Sequence, residues 1–416
     1  MFKQISKILA PYKTVLSNTI YLSLINIVYL LMPFIALPYI IKTVGAENYG
    51  KIALAQAISS YFLIFINFGL DIVAVKKVAQ NRISTKRIGI ILGAVLTIKT
   101  LLCIFAFAAF LGLIFFWSFA RENITLFLYS FLACITDIIF TAWLFQGIEK
   151  MFMITAIKVS SLVLYIGLIF IFLNKNNDYI FIPLFQSGAL LFTSIVGFVY
   201  MTHTEKIYPR KASTNYLRKL FKESFAFFLS RSAVVVNNSL ATVAVGIALG
   251  PTQVAIYDLS QKIARTGLTP VAILSQAIYP HNAKHRNKKF ALKAFYGLLS
   301  ISIIGLIILY IIAPYLVYFL SGNKLMDAVP LVRFFGIYVF FGIFSIYLGL
   351  PLLVAWGHPK PFNNSVYISS GVLLIVYGSY ELLSIHSVYF YSLALAISEF
   401  VLTLYRGYFC HKYKII

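Results

Sequence analysis

The sequence predicts an all-α polytopic membrane protein, and three observations predict it. Of the 416 residues 61% are hydrophobic and only 11% are charged, against about 25% charged in a soluble domain. Apolar runs recur along the whole chain at about the 20-residue length a bilayer-spanning helix needs. Lys and Arg gather in alternate segments between those runs, as they do in cytoplasmic loops. The runs lack the short apolar–polar alternation of a transmembrane β-barrel.

The first run follows MFKQISKILAPYK and continues from Val15 to Ile41. It is too long for a signal-peptide core and no small-residue cleavage site follows, so it is expected to remain as the first span. Further spans are expected at 52–75, 88–116, 124–146, 152–173, 179–201, 224–249, 254–280, 291–320, 328–355, 362–384 and 387–409, about twelve in all. No soluble domain is left over.

With the N-terminus taken as cytoplasmic, 24 Lys and Arg fall in inside segments, Arg406 among them. Only Lys42, Lys51, Arg121, Lys175 and Lys324 fall outside. That asymmetry places both termini inside. It also accounts for the net charge of +23 without invoking nucleic acid, which so basic a soluble protein would suggest. The longest basic segment, HTEKIYPRKASTNYLRKLFKES, separates the sixth and seventh spans. The expected organisation is a lobe at 1–201, a basic cytoplasmic inter-lobe loop at 202–223 and a lobe at 224–416. Six spans per lobe give both lobes one orientation, related by a pseudo-two-fold along the membrane normal around a central cavity. VGAENYGKIALAQ (44–56) aligns weakly with LGPTQVAIYDLSQ (249–261), pairing Gly45 with Gly250 and Gln56 with Gln261.

A charge at the bilayer centre costs about 2.5–3.5 kcal/mol on insertion scales, so charges inside spans mark partners or aqueous cavities. Asp258, Lys262 and Arg265 share one helix face at i, i+4 and i+7. Asp258 can neutralise Lys262 there, which leaves Arg265 in excess. Arg231, Asn238 and Thr242 form a stripe on the preceding span, and Gln56, Ser60, Asn67 and Asp71 one in the first half. Lys99, Asp137 and Lys158 are further intramembrane charges, and Arg333 lies near the outer end of the tenth span. Asn18 and Asn26 sit in the first span, with Pro33 and Pro38 able to kink it. Six of these charges are basic and three acidic, so the expected cavity is cationic and suited to an anionic solute. Arg231, Arg265, Lys262, Asn238, Lys99, Gln56 and Asn67 are its expected lining. Asp258, Asp71 and Asp137 are expected to balance charge or couple ions, with Asp71 able to pair with Lys76 or Lys77. Interhelical ion pairs and snorkelling explain the same residues more simply, above all Lys158 and Arg333 near span ends.

Other patterns do not support a site. GAENYGKI (45–52) nearly spells a phosphate-binding loop, but Ile52 stands where a hydroxyl is needed and no strand precedes it. His281 and His285 lie one turn apart, yet Lys284 and Arg286 oppose a cation there. Cys103, Cys134 and Cys410 are scattered and suggest no disulfide or metal site.

AWLFQGIEKM (142–151), through Trp143, Phe145, Gln146, Gly147, Glu149, Lys150 and Met151, resembles a motif of the Wzx-type O-antigen flippases. The segment 38–82 is similar to that family's N-terminal signature at Pro38-Tyr39, Gly45, Tyr49-Gly50, Gln56, Tyr61-Phe62, Phe68-Gly69, Lys77 and Ala79. The second half is matched mainly by its pattern of spans. The resemblance implies a polysaccharide transporter of the multidrug/oligosaccharidyl-lipid/polysaccharide exporters. Such a protein moves undecaprenyl-pyrophosphate-linked oligosaccharide from the inner to the outer leaflet of a bacterial inner membrane. An O-antigen polymerase and a chain-length regulator are the partners to consider beside it. A cationic cavity suits that diphosphate, since Arg pairs well with phosphate oxygens.

No ATP site is visible. Two negative charges moving outward gain about 4–5 kcal/mol per 100 mV, so the membrane potential is one expected driving force; H⁺ or Na⁺ exchange are the others. Two alternatives stand beside this reading. A drug/cation exporter of the same superfamily favours an acidic cavity. A polytopic O-antigen polymerase or ligase favours a large outside loop, whereas the outside loops here are short.

Overall fold

The computed structural model describes residues 13–415, with the side chains of 13–27, 29 and 280 left undescribed. Asn18 and Asn26 therefore lie outside the described side chains. Every expected apolar run is helical. The chain forms α1 (13–44), α2 (46–67), α3 (Leu70–Gln80), α4 (Thr85–Phe116), α5 (Ser118–Glu122), α6 (Ile124–Ile139), α7 (Ala142–Gly147) and α8 (Met151–Phe172). A 3₁₀ turn at Asn176–Ile180 leads to α9 (Phe181–His203), α10 (Thr214–Leu249), α11 (Pro251–His285) and α12 (Lys288–Ser321). Then come α13 (Ala328–Phe334), α14 (Gly336–Tyr347), a π-helical turn at Leu348–Val354, α15 (Pro359–Leu382) and α16 (Val388–Lys412).

Among the described residues, ten helical segments are long and apolar enough to cross a membrane. One of them, Leu30–Gln80, contains the break at Gly45 and so holds two spans. Pro251–His285 is long enough but carries Asp258, Lys262 and Arg265 in its middle. The protein is a multi-pass helical membrane protein with the expected spans.

The connections differ more than the spans. The first outward connection, expected as a loop over 42–51, shrinks to Gly45 alone (φ 84°, ψ 171°). Its counterpart Gly250 takes φ 83° and ψ 175° just before α11. Both have open space where a Cβ would stand, so the left-handed φ, not crowding, requires glycine. The two aligned segments thus break their helices by the same backbone device, which is consistent with an internal repeat. Further breaks divide expected spans at Phe68-Gly69, both at positive φ, and at Phe140–Thr141. Pro351, lacking an N–H, sits inside the π-helical turn that divides the tenth span.

The basic segment 203–224 is not one loop. α10 begins at Thr214, with Ser213 Oγ accepting from the Tyr216 N–H. The stretch before it is laid across α4, where the Arg210 N–H donates to the Gly89 carbonyl at 2.9 Å. A Cβ at Gly89 or Gly93 would overlap the carbonyl oxygens of Tyr208 and Arg210, so two small residues one turn apart make the groove that holds it.

By packing the chain forms two compact units. One contains the chain up to Tyr39 and Ser59–Arg231; the other contains Ile40–Ile58 and Ser232–Ile416. The first unit's core joins Leu70, Val73, Ala74 and Val78 of α3 to Ile91, Leu92 and Val95 of α4 and to Trp143, Leu144 and Phe145 of α7. Phe68, at the break, stacks between Phe221 and Phe228 of α10. The second unit buries Tyr257 of α11, Tyr347 and Phe335 near α14, and Tyr391 of α16.

Candidate functional site

In the first unit four expected residues come together. The Lys99 ammonium, fully out of solvent, lies 2.8 Å from Asp137 Oδ2 and 2.9 Å from Asp71 Oδ1. It also donates to the Asp137 carbonyl at 3.2 Å. Asn67 Nδ2 donates to Asp71 Oδ2 at 2.7 Å and to Asp137 Oδ2 at 3.3 Å. A buried charge persists when it is paired and hydrogen-bonded, and here one cation is held by two carboxylates and an amide. The cluster carries one net negative charge. Lys99, expected to line a cationic cavity, is enclosed by acids, hydrogen-bonded to Asp137 and ion-paired with Asp71. Asp71 pairs with Lys99 rather than with Lys76 or Lys77; Lys77 pairs with Glu223 at 2.8 Å.

The 142–151 motif closes α7 of the same unit. α7 closes with Lys150 N–H to the Phe145 carbonyl and Glu149 N–H to the Gln146 carbonyl, the Schellman arrangement. Glu149 occupies the left-handed position (φ 64°) where glycine is usual. Its carboxylate accepts from Arg82 Nη2 at 2.7 Å, and Arg82 Nε donates to the Gly147 carbonyl at 2.9 Å. The Arg82 hydrogen bond holds the Glu149 carboxyl below the usual glutamate range. Lys150 pairs with Glu205.

In the second unit α11 presents its three charges as the spacing indicated. Asp258 Oδ2 accepts from Lys262 Nζ at 2.6 Å. Tyr49 of α2 adds a hydroxyl that donates to Asp258 and accepts from Lys262 at 3.0 Å, under the Lys262 ammonium. Gly50 beside it packs so tightly on α11 that a Cβ would overlap the Pro251 carbonyl. That contact gives the Tyr49-Gly50 pair a physical meaning. Arg265 stands apart: its Nη2 donates to the Asn238 carbonyl at 3.3 Å, and its Nε is out of solvent without a partner. No carboxylate among the described residues lies within ion-pair distance of it.

A polar cavity of about 220 Å³ opens beside Asn238, between α10, α14, α15 and α16. Asn237, Asn238, Tyr338, Ser369, Glu399 and Arg406 line it. Asn237 Oδ1 and Glu399 Oε2 are buried there without hydrogen-bond partners. Arg406, only 6% exposed, donates from Nε to Ser365 Oγ at 2.9 Å and from Nη1 to the Ser345 carbonyl at 2.6 Å. It stacks on Phe362 at 4.7 Å. The sequence reading placed Arg406 among cytoplasmic loop charges; it is a buried residue of α16. Glu399 was not singled out at all. The two lie seven residues apart on one helix, the same spacing that marks Asp258 and Arg265, so the signal was present.

Buried polar atoms in native structures nearly always have partners. Two open acceptors in one cavity, and an open guanidinium donor on the residue bound to Asn238, suit a ligand with both hydroxyls and acceptor oxygens. The other expected residues are dispersed. Gln56 is half-buried on the part of α2 that belongs to the second unit, Arg231 is exposed at the end of the first unit, and Lys158 lies over the Phe140 ring.

The chain matches the family described as "Polysaccharide biosynthesis protein" over residues 15–285, well over half its length. It is 26% identical over 371 residues to a protein of Escherichia coli (strain K12) named "Putative O-antigen transporter", covering 86% of this chain and 88% of that one. A Shigella dysenteriae protein of the same name is 24% identical over 373 residues, covering 86% and 91%. Among solved structures, an inward-facing multidrug resistance MATE family transporter of the MOP superfamily superposes with TM-score 0.67 at 15% identity, covering 92% of this chain and 95% of that one. The lipid II flippase MurJ in an inward closed conformation superposes at 0.61 with 14% identity, covering 95% and 87%. The chain belongs to the polysaccharide biosynthesis protein family, and its fold is the one seen in the MATE transporter and MurJ structures.

Proposed function

We propose that the protein is a flippase for lipid-linked oligosaccharides, carrying undecaprenyl-pyrophosphate-linked O-antigen-type repeat units from the cytoplasmic to the periplasmic leaflet of a bacterial inner membrane. The observation that carries the reading is the pairing of Arg265 with the polar cavity of the second unit. Arg265 has no carboxylate partner and keeps an open guanidinium donor, while Asn237 and Glu399 keep open acceptors. A guanidinium matches phosphate oxygens, and amide and carboxylate acceptors match sugar hydroxyls. Family membership and the O-antigen transporters it resembles support the same substrate class.

In this reading Arg265 holds the diphosphate. Asn238, Asn237 and Glu399 contact sugars, and the prenyl chain stays in the bilayer. The head group crosses as the two halves alternate in access. The termini lie in the cytoplasm, and a polymerase and chain-length regulator act on the exported unit. The acidic cluster of Asn67, Asp71, Lys99 and Asp137 is the place for charge balance or proton exchange. The membrane potential favours the outward path of the anion.

The test is complementation of a strain lacking its own O-unit flippase in the native sugar background, at matched membrane expression. Wild type restores surface polysaccharide. Arg265→Ala abolishes it, and Arg265→Lys does not rescue because one ammonium cannot replace the planar fork. Full activity in both variants sinks the assignment of the diphosphate site.

A further inference from the structure

We propose that the second unit carries a binding site for an anionic membrane phospholipid, in the groove between α12 and α13–α14, with Arg333 as its phosphate ligand. The groove has a volume of about 350 Å³ and is lined by Leu306, Leu309, Ile337, Phe340 and Phe341, with Arg333 as its one charge. The fixing of that charge starts from Pro314. A proline offers no N–H to the carbonyl four residues before it, so the Tyr310 carbonyl lacks its helical donor. Arg333 Nε donates to that oxygen at 3.2 Å, and the guanidinium lies over the Tyr310 ring at 4.3 Å. One edge of the guanidinium is thereby spent on protein, and its terminal nitrogens are left for a ligand.

Snorkelling alone does not produce this arrangement. A snorkelling side chain extends to water, whereas this one is clamped at the mouth of an apolar groove. Gly336 lies on the groove wall, where a Cβ would make only ordinary contact with Leu306, so a larger side chain there extends into the groove. A charged group at the mouth and a hydrocarbon slot behind it match a phospholipid, phosphate on guanidinium and one acyl chain in the slot. The groove takes a stretch of one hydrocarbon chain, and the rest of the lipid stays in the bilayer. On the proposed orientation Arg333 is near the periplasmic end of its span, so the lipid is one of the outer leaflet. This site is independent of the flippase reading.

The full-length protein, purified in detergent, is incubated with phosphatidylglycerol or with phosphatidylcholine of the same chains and weighed by native mass spectrometry. Wild type retains one phosphatidylglycerol in preference to phosphatidylcholine. Arg333→Met lowers that preference about tenfold, and Gly336→Leu, which fills the slot and keeps the charge, lowers retention of both lipids. Cys410, buried in the same unit, stays protected from thiol reagent in each variant, which reports an intact fold. Equal retention of the two lipids by wild type, an unchanged preference in Arg333→Met, or displacement of phosphatidylglycerol by an equimolar prenyl phosphate overturns the proposal.

Discussion

Removing the ammonium of Lys99 should open the first unit locally, and the size of the effect follows from its partners. Lys99→Met leaves Asp71 and Asp137 facing each other, with only the Asn67 amide between them. Breaking a buried pair by deleting one partner costs about 3–5 kcal/mol. Asp137 is 15% exposed and Asp71 35%, so Asp71 can partly rehydrate and the lower figure, about 3 kcal/mol, applies. Cys134, fully buried one turn before Asp137 on α6, reports the opening directly. With Cys103→Ser and Cys410→Ser as background, its labelling by a membrane-permeant maleimide should accelerate about 100-fold in Lys99→Met, at 1.4 kcal/mol per tenfold. Lys99→Met combined with Asp137→Asn removes the buried anion as well and should return the rate to within about tenfold of the background. If the single variant labels within about threefold of the background, or the double variant labels as fast as the single, the ion cluster does not hold α3, α4 and α6 together and the reasoning fails.

Two further outcomes follow from local geometry. Gly250→Ala meets no neighbour and strains only the backbone, held at φ 83° and ψ 175°, by about 2 kcal/mol. Gly50→Ala drives a methyl into the Pro251 carbonyl and should lower thermal stability by more, about 3 kcal/mol; the opposite ranking in a thermal melt contradicts the described packing of α2 on α11. Because Arg82 depresses the Glu149 pKa, this pair contributes stability above the ordinary glutamate pKa and loses it as pH falls through the depressed value. Protection factors for amide exchange at residues 147–151 should therefore fall on acidification in wild type, and in Glu149→Gln they should not.

The spans were legible in the sequence because burial in hydrocarbon leaves an unbroken apolar run, and each run is helical in the structure. Their interruptions were not. A single glycine at φ 84° replaces a predicted loop at Gly45. The break at Phe140–Thr141 falls inside apolar sequence with no glycine or proline to mark it, and Gly69 alone marks the one at Phe68-Gly69. The stripe on α11 was legible because i, i+4 and i+7 lie on one face whatever the tertiary structure. Lys99 was legible as a buried charge but not in its role, since its carboxylates come from α3 and α6 and only their packing brings them to it. Arg406 was misplaced for a simpler reason. It lies near the last span's predicted end, and a basic residue there counts equally well as loop or helix until Ser345, Phe362 and Ser365 are seen around it.

Pairing also changes what the intramembrane charges mean. Counting residues gives an excess of cations, and the count alone leaves a general cationic cavity. The structure withdraws two of those cations from a ligand: Lys99 belongs to two aspartates, and Lys262 to Asp258 and Tyr49. Arg265 is different because no carboxylate among the described residues lies within ion-pair distance of it and its Nη2 donates to a main-chain carbonyl. That carbonyl belongs to Asn238, which lines a cavity with two unfilled acceptors. An excess spread over six residues becomes one guanidinium beside one polar pocket. Asp258 then matters mainly through what it removes: by neutralising Lys262 it leaves Arg265 as the available cation in the middle of α11. Charge reversal at Asp258 should therefore disturb packing against Tyr49 first, and substrate handling only through the loss of that balance.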